Sequence, residues 1–133
     1  MNDERIRREL DWLREGELAA EFIAANRPLV LYRRVPADGA RLGLPAATDV
    51  VVPVPAGYPA SPIDLAGLPS DSPFFPHVKG GTNTQGVVDV DGRQWRLVSY
   101  HPHSGGGGPP WDQTRHGFHT YFDHLVAWLY LLN

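Results

Sequence analysis

Apolar residues recur at helical spacing near both ends of this chain and at strand spacing between them. In DERIRRELDWLREGELAAEFIAANRP, Ile6, Leu10 and Leu13 fall at i, i+4 and i+7, the apolar stripe of an amphipathic helix. Leu18 and Phe22 continue the pattern past Gly16, which breaks or bends the helix, and Asn26-Arg27-Pro28 ends it. The opposite face carries Arg5, Arg8 and Glu15, and such a face is either solvated or docks a partner. In TRHGFHTYFDHLVAWLYLL, Phe118, Tyr121, Phe122, Leu125, Leu129 and Leu132 repeat at helical spacing. They predict a last helix lying against a sheet, with Leu97, Phe118, Phe122, Leu125 and Leu129 in the core.

Between these helices, PLVLYRRVP and TDVVVPVPAGYP read as β-branched strands joined through the turn-like PADGARLGLPAA. Pro53 and Pro55 suggest that the second is an edge strand or peels away. From Tyr58 to Gly81, Pro, Gly and Ser crowd the chain and no periodicity survives, which predicts a long ordered loop. GVVDVDGRQWRLVSYH is a hairpin turning at Asp91-Gly92, and alternation puts Trp95, Leu97, Ser99 and His101 on one face of its second strand. Helix, antiparallel strands, long loop and helix make residues 1–133 a single α+β domain.

Composition narrows the function more than the fold. Net charge is −3, Lys79 is the only lysine, and no basic stretch stands out, which argues against a general nucleic-acid binder. No segment reads as a signal peptide or approaches the roughly 20 apolar residues of a membrane span. The expected location is the cytoplasm, with no membrane partner. The absence of cysteine excludes disulfides, thiolate metal sites and a thiol nucleophile.

The stretch SYHPHSGGGGPPW concentrates what chemistry the chain offers. Ser99 and His101 point the same way along a strand, roughly 7 Å apart. His103 and Ser104 lead into four glycines whose N–H groups can turn towards an oxyanion. A hydroxyl beside an imidazole is the minimum for an activated serine, and Asp112 is the nearest orienting carboxylate. The alternative is a flexible glycine loop whose serines bond only to backbone. Zinc can use three imidazoles, but His119 and His124 sit on different helical faces, so neither a metal nor a cofactor is expected.

Taken in order, TDVVVPVPAGYPASPIDLAGLP, WRLVSYHP and PPW before an apolar helix resemble prokaryotic E2 family E, bacterial ubiquitin-conjugating-enzyme-like proteins. The matching positions are Val50–Val54, Gly57-Tyr58-Pro59, Asp64, Trp95, Ser99 with His101, and Trp111. The resemblance implies an N-terminal helix, a four-stranded antiparallel meander, an ordered loop held by Tyr58, Pro59, Asp64, Trp95 and Trp111, and a helix crossing the sheet. It also implies two partners, a ubiquitin-like modifier and an E1-like activating enzyme, the latter docking on the first helix at Arg5, Arg8 and Trp12. Conjugating enzymes carry the modifier on a cysteine in the neighbourhood filled here by His101 to Gly108. The expectation is therefore a conjugation component without a thioester, using Ser99 or Ser104 with His101 or His103, or else a non-catalytic adaptor.

Overall fold

The computed structural model describes residues 3–24, 27–100, 102–103 and 110–132. Helix α1 runs from Asp3 to Glu15 and buries Ile6, Leu10 and Leu13, the stripe read from the sequence. It stops sooner than that reading, which let Leu18 and Phe22 prolong it. Leu18 N–H donates to Leu13 O (3.0 Å) and Glu17 N–H to Arg14 O (2.9 Å), with Glu17 at φ 64°. This is a Schellman stop with a glutamate in the left-handed position that glycine usually fills. The chain released by that stop forms β1, Ala20–Ile23, which pairs antiparallel with β2, Leu29–Pro36.

A 3-10 turn at Ala40–Leu42 leads to β3 (Ala47–Pro53), and then come β4 (Leu65–Pro69), β5 (Thr84–Val90), β6 (Arg93–Ser99) and helix α2 (Phe118–Tyr130). The sheet order is β1-β2-β3-β4-β6-β5, antiparallel at each pairing. The protein is therefore α+β with a helix at either end, but its sheet has six strands where four were expected. The additions are β1, read as helix, and β4, read as loop. β4 has the sequence LAGLP, buried from Ala66 to Pro69, and a strand covered on both faces shows no alternation to read. The order also departs from a meander, because β6 lies between β4 and β5. β3 is an interior strand, and the chain peels away after Pro53. Asp91 (φ 57°) and Gly92 (φ 72°) form the expected two-residue hairpin turn, with Val90 opposite Arg93.

Two apolar clusters fill the two faces of the sheet. The larger lies under the helices, where Val30, Tyr32, Val50, Val52 and Val98 meet Ile6, Leu10, Phe118, Tyr121, Leu125 and Leu129. The smaller consists of Leu29, Leu31, Val51, Trp95 and Leu97 on the other face, under Ile23, Val88 and Val90 from the two edge strands. Leu97 is thus buried, but away from α2, and Phe122 is only partly buried at the margin of the larger cluster.

Edge strands can cover that second face only if the sheet coils, and Arg33 records the coiling. Its guanidinium bonds Glu21 of β1 (2.7 Å) and Asp91 of the hairpin turn (3.0 Å). Strands lie about 4.8 Å apart, so three spacings would carry β6 beyond the reach of a β2 side chain in a flat sheet. Trp95 lines the hollow, its Nε1–H donating to Val90 O (2.9 Å) and its ring lying under Arg93.

Candidate functional site

The turn just before α2 is held against the molecule by α1. Glu9, on the buried stripe of α1, is 1% exposed. Its carboxylate accepts from Arg5 Nε (2.8 Å), from the Tyr58 hydroxyl and from the Phe118 N–H at the start of α2 (3.1 Å). A negative charge there also suits the positive end of the helix dipole. Gly117, which precedes α2, has no side chain with which to cap it, and its own N–H bonds the Thr120 hydroxyl (3.0 Å). The cap comes from Glu9, and a methyl group at 117 would land on that carboxylate. Burial first, and then the bond to Glu9, push the Tyr58 phenol well up, so it remains a donor.

Tyr58 and Pro59 were expected to brace the long loop against the sheet, and their contacts run to α1, to α2 and to the turn before it. The Trp111 Nε1–H donates to Pro59 O (2.8 Å), and the Trp111 ring lies 6.2 Å from that of Tyr58. Arg5 reaches past Glu9 to the carbonyls of Gln113 and His116. One helix therefore positions Tyr58, the turn before α2 and α2 itself. The turn walls an open cleft of about 990 Å³, lined by Trp111, Asp112, Thr114, Arg115, His116 and Thr120 among others.

Behind this wall three imidazoles pack together. His103 is 9% exposed and stacks on His116 (ring centroids 4.9 Å, 30° between planes). His124 meets His103 edge-on at 4.7 Å and Trp111 does so at 5.0 Å. The Tyr100 hydroxyl donates to the carbonyl of His124 (2.6 Å), and burial raises that phenol to about 12. Burial and the neighbouring His103 lower the pKa of His116 and, in the same order, that of His124, so both favour the neutral ring. The backbone N–H of Asp112 donates to His116 Nδ1 (3.0 Å), which assigns the proton of the neutral ring to Nε2.

The sequence-derived site residues do not all converge here. Ser99 is the last residue of β6, opposite Leu65 in the register. Strand alternation sets it with Trp95 and Leu97 on the face away from the helices, whereas His103 packs against α2. Asp112 bonds the Thr114 hydroxyl and backbone N–H, and these bonds lower its pKa. It serves its own turn and meets His116 through its N–H. His101 and Ser104 lie outside the described residues. Asp64 stands just before β4 and lines a groove with Arg27, Pro55 and Gln85. His119 is apart from the other imidazoles, edge-on to Trp12 at 4.8 Å. Among the described residues no group of three or more His, Asp or Glu side chains is arranged to hold a metal ion.

On α1, Trp12 is 48% exposed with Arg8 over its ring, while Arg5 is tied inward by the bonds above. Glu9 was missed in the sequence, although a carboxylate between Ile6, Leu10 and Leu13 on an apolar stripe was a signal. The described residues thus define an α+β protein whose C-terminal helix, cleft wall and braced loop are all keyed to one buried glutamate. No helix among them is long and apolar enough to cross a membrane. Comparison with protein-family models, curated proteins and solved structures gave no match to this chain.

Proposed function

We propose that this chain is an E2-like component of a bacterial ubiquitin-like conjugation pathway, acting with an activating enzyme and a modifier and without a thioester. The observation that supports this reading is the meeting of its motif residues. Tyr58-Pro59 and Trp111 were singled out together in the sequence, and they join through the Trp111–Pro59 hydrogen bond and the ring contact with Tyr58. Arg8 and Trp12 remain exposed on α1 as the surface for the activating enzyme. Arg5 belongs to the frame behind them.

Within that pathway one observation favours the adaptor reading over a serine oxyester. Ser99 faces away from the helices, and His116 already uses Nδ1 to accept from its own turn, so neither is a preset partner of the other. The hydroxyls for covalent chemistry are Ser99 and Ser104, with His101 or His103 as the base. Such a serine would attack the activating enzyme's thioester, expelling the thiol and passing its proton to an imidazole.

Reconstitution with modifier, activating enzyme and ATP tests both readings. An oxyester would survive reductant, break in mild alkali or hydroxylamine, and disappear in Ser99→Ala or Ser104→Ala. The adaptor predicts no adduct, but retention of the activating enzyme or the modifier. If the activating enzyme is retained, Arg8→Glu with Trp12→Ala abolishes it while the domain stays folded. Failure to form an adduct or to retain either partner would overturn the proposal.

A further inference from the structure

The turn that walls the cleft is fastened by a bond that a single proton would break. His116 N–H donates to Asp112 O (2.8 Å), and Asp112 N–H donates back to His116 Nδ1 (3.0 Å). A ring nitrogen that accepts cannot also carry a proton. Protonating Nδ1 therefore sets two N–H groups against each other. It also places a cation beside His103, against which the ring stacks. Asp112 keeps its bonds from the Arg115 and His116 N–H groups and from Thr114 in either state, so the proton acts on the Asp112 N–H and the residue before it. We propose that the Trp111–His116 turn is a proton-operated latch, and that protonation of His116 at Nδ1 releases the Asp112 N–H and loosens Trp111 at the edge of the cleft wall.

The groups around His116 set the balance. From the chain after β6 comes His103; from α2 come His119 and, through His103, His124 with the adjacent Asp123. From α1 come Arg5, bonded to the His116 carbonyl, and Glu9, which Arg5 and the Phe118 N–H already engage. The turn itself adds Arg115 and Asp112, and the Asp112 carboxylate is taken by Thr114. Burial and the neighbouring His103 thus outweigh the Asp112 charge, which favours the charged ring although that carboxylate also bonds Thr114. The Trp111 ring, tilted at 5.7 Å, lies at the outer limit of cation–π reach and offers little compensation. The lowered pKa of His116 agrees with this geometry. Arg5 keeps its bonds to Gln113 O and His116 O when the imidazole is charged, so one end of the turn stays anchored. The inference concerns the wall alone and does not depend on the conjugation reading.

The test follows the Trp111 indole N–H by NMR hydrogen exchange, corrected for intrinsic rates, from about pH 8 to about pH 5. The indoles of Trp95 and Trp128, bonded to Val90 O and Lys79 O, serve as internal references for the folded sheet and α2. Protection of Trp111 should fall roughly tenfold or more on acidification while both references hold. The midpoint should coincide with the titration of the His116 ring, followed on its own carbon-bound protons. His116→Asn offers an oxygen in place of Nδ1 and does not titrate, so it should hold Trp111 closed throughout. Flat protection in the native chain would overturn the latch, as would a midpoint far from the His116 titration or the same acid release in His116→Asn. If the asparagine variant is open at every pH, the coincidence of the two native midpoints decides.

Discussion

Two polar clusters meet at adjacent residues, His116 in one and Gly117 in the other, and they are built on different terms. Around Glu9 each group is complementary: a carboxylate faces a guanidinium, a phenol and the N–H that opens a helix. Around His103 the rings are alike, and the Nδ1–N–H bond of His116 requires one protonation state. Complementary charges make the first cluster a fixed joint. In the second, His116 and His124 have pKa values below the usual histidine value, which makes it sensitive to acid. The joint orients the wall, and the imidazoles determine how tightly it is fastened.

Removing the centre of the joint tests this contrast most severely. Glu9→Ala leaves Arg5 Nε, the Tyr58 hydroxyl and the Phe118 N–H without their acceptor, and should cost about 3–5 kcal/mol in denaturant unfolding. A loss below about 1 kcal/mol, the size of an exposed ion pair, would show that the joint is not what holds α2. Gly117→Ala attacks the same joint from the other side by pushing a methyl into the carboxylate, for about 1–3 kcal/mol. The loss should shrink in the Glu9→Ala background, and strict additivity of the two changes would separate them.

Acid should discriminate between the clusters. The folded pKa values of His116, His119 and His124 are lower than those of the unfolded chain. The unfolded state therefore takes up protons first as pH falls. The stability these groups provide is complete above about pH 6.5 and is lost as pH drops through their depressed values. Denaturation midpoints should fall on that side, and less so in a His116→Asn, His124→Gln variant. An unchanged pH profile in that variant would move the acid sensitivity elsewhere.

The smallest effects should come from single bonds at the edge of the comparison. Trp111→Phe keeps a ring against Tyr58 but removes the bond to Pro59 O, worth about 1 kcal/mol. Glu17→Gly relieves a left-handed glutamate at the end of α1, and should gain up to about 1 kcal/mol. Glu17→Gly should leave the pH profile unchanged, whereas Trp111→Phe loosens the end that His116 protonation releases and should flatten the acid loss slightly. An unchanged profile in Trp111→Phe would separate that bond from the imidazole cluster.

Local pattern determined much of this protein on its own. The stripe of α1, the spacing of α2, the β-branched runs of β2 and β3 and the Asp91-Gly92 turn each carry their signal within a few residues. The absence of cysteine was equally legible, and Tyr58, Pro59 and Trp111 stood among the positions that carried the resemblance. Tertiary structure decided the rest. β4 has no alternation because both its faces are covered, and β1 exists because a backbone stop at Glu17 ended a helix that the apolar spacing would have continued. Packing of the helices on the other face of β6 left Leu97 and Ser99 turned away from α2, separating a serine from a histidine only four residues along. Glu9, Gly117 and the packed imidazoles acquire their roles from partners that are mostly distant along the chain. Periodicity reports which face of an element is buried, but not what waits on the other side.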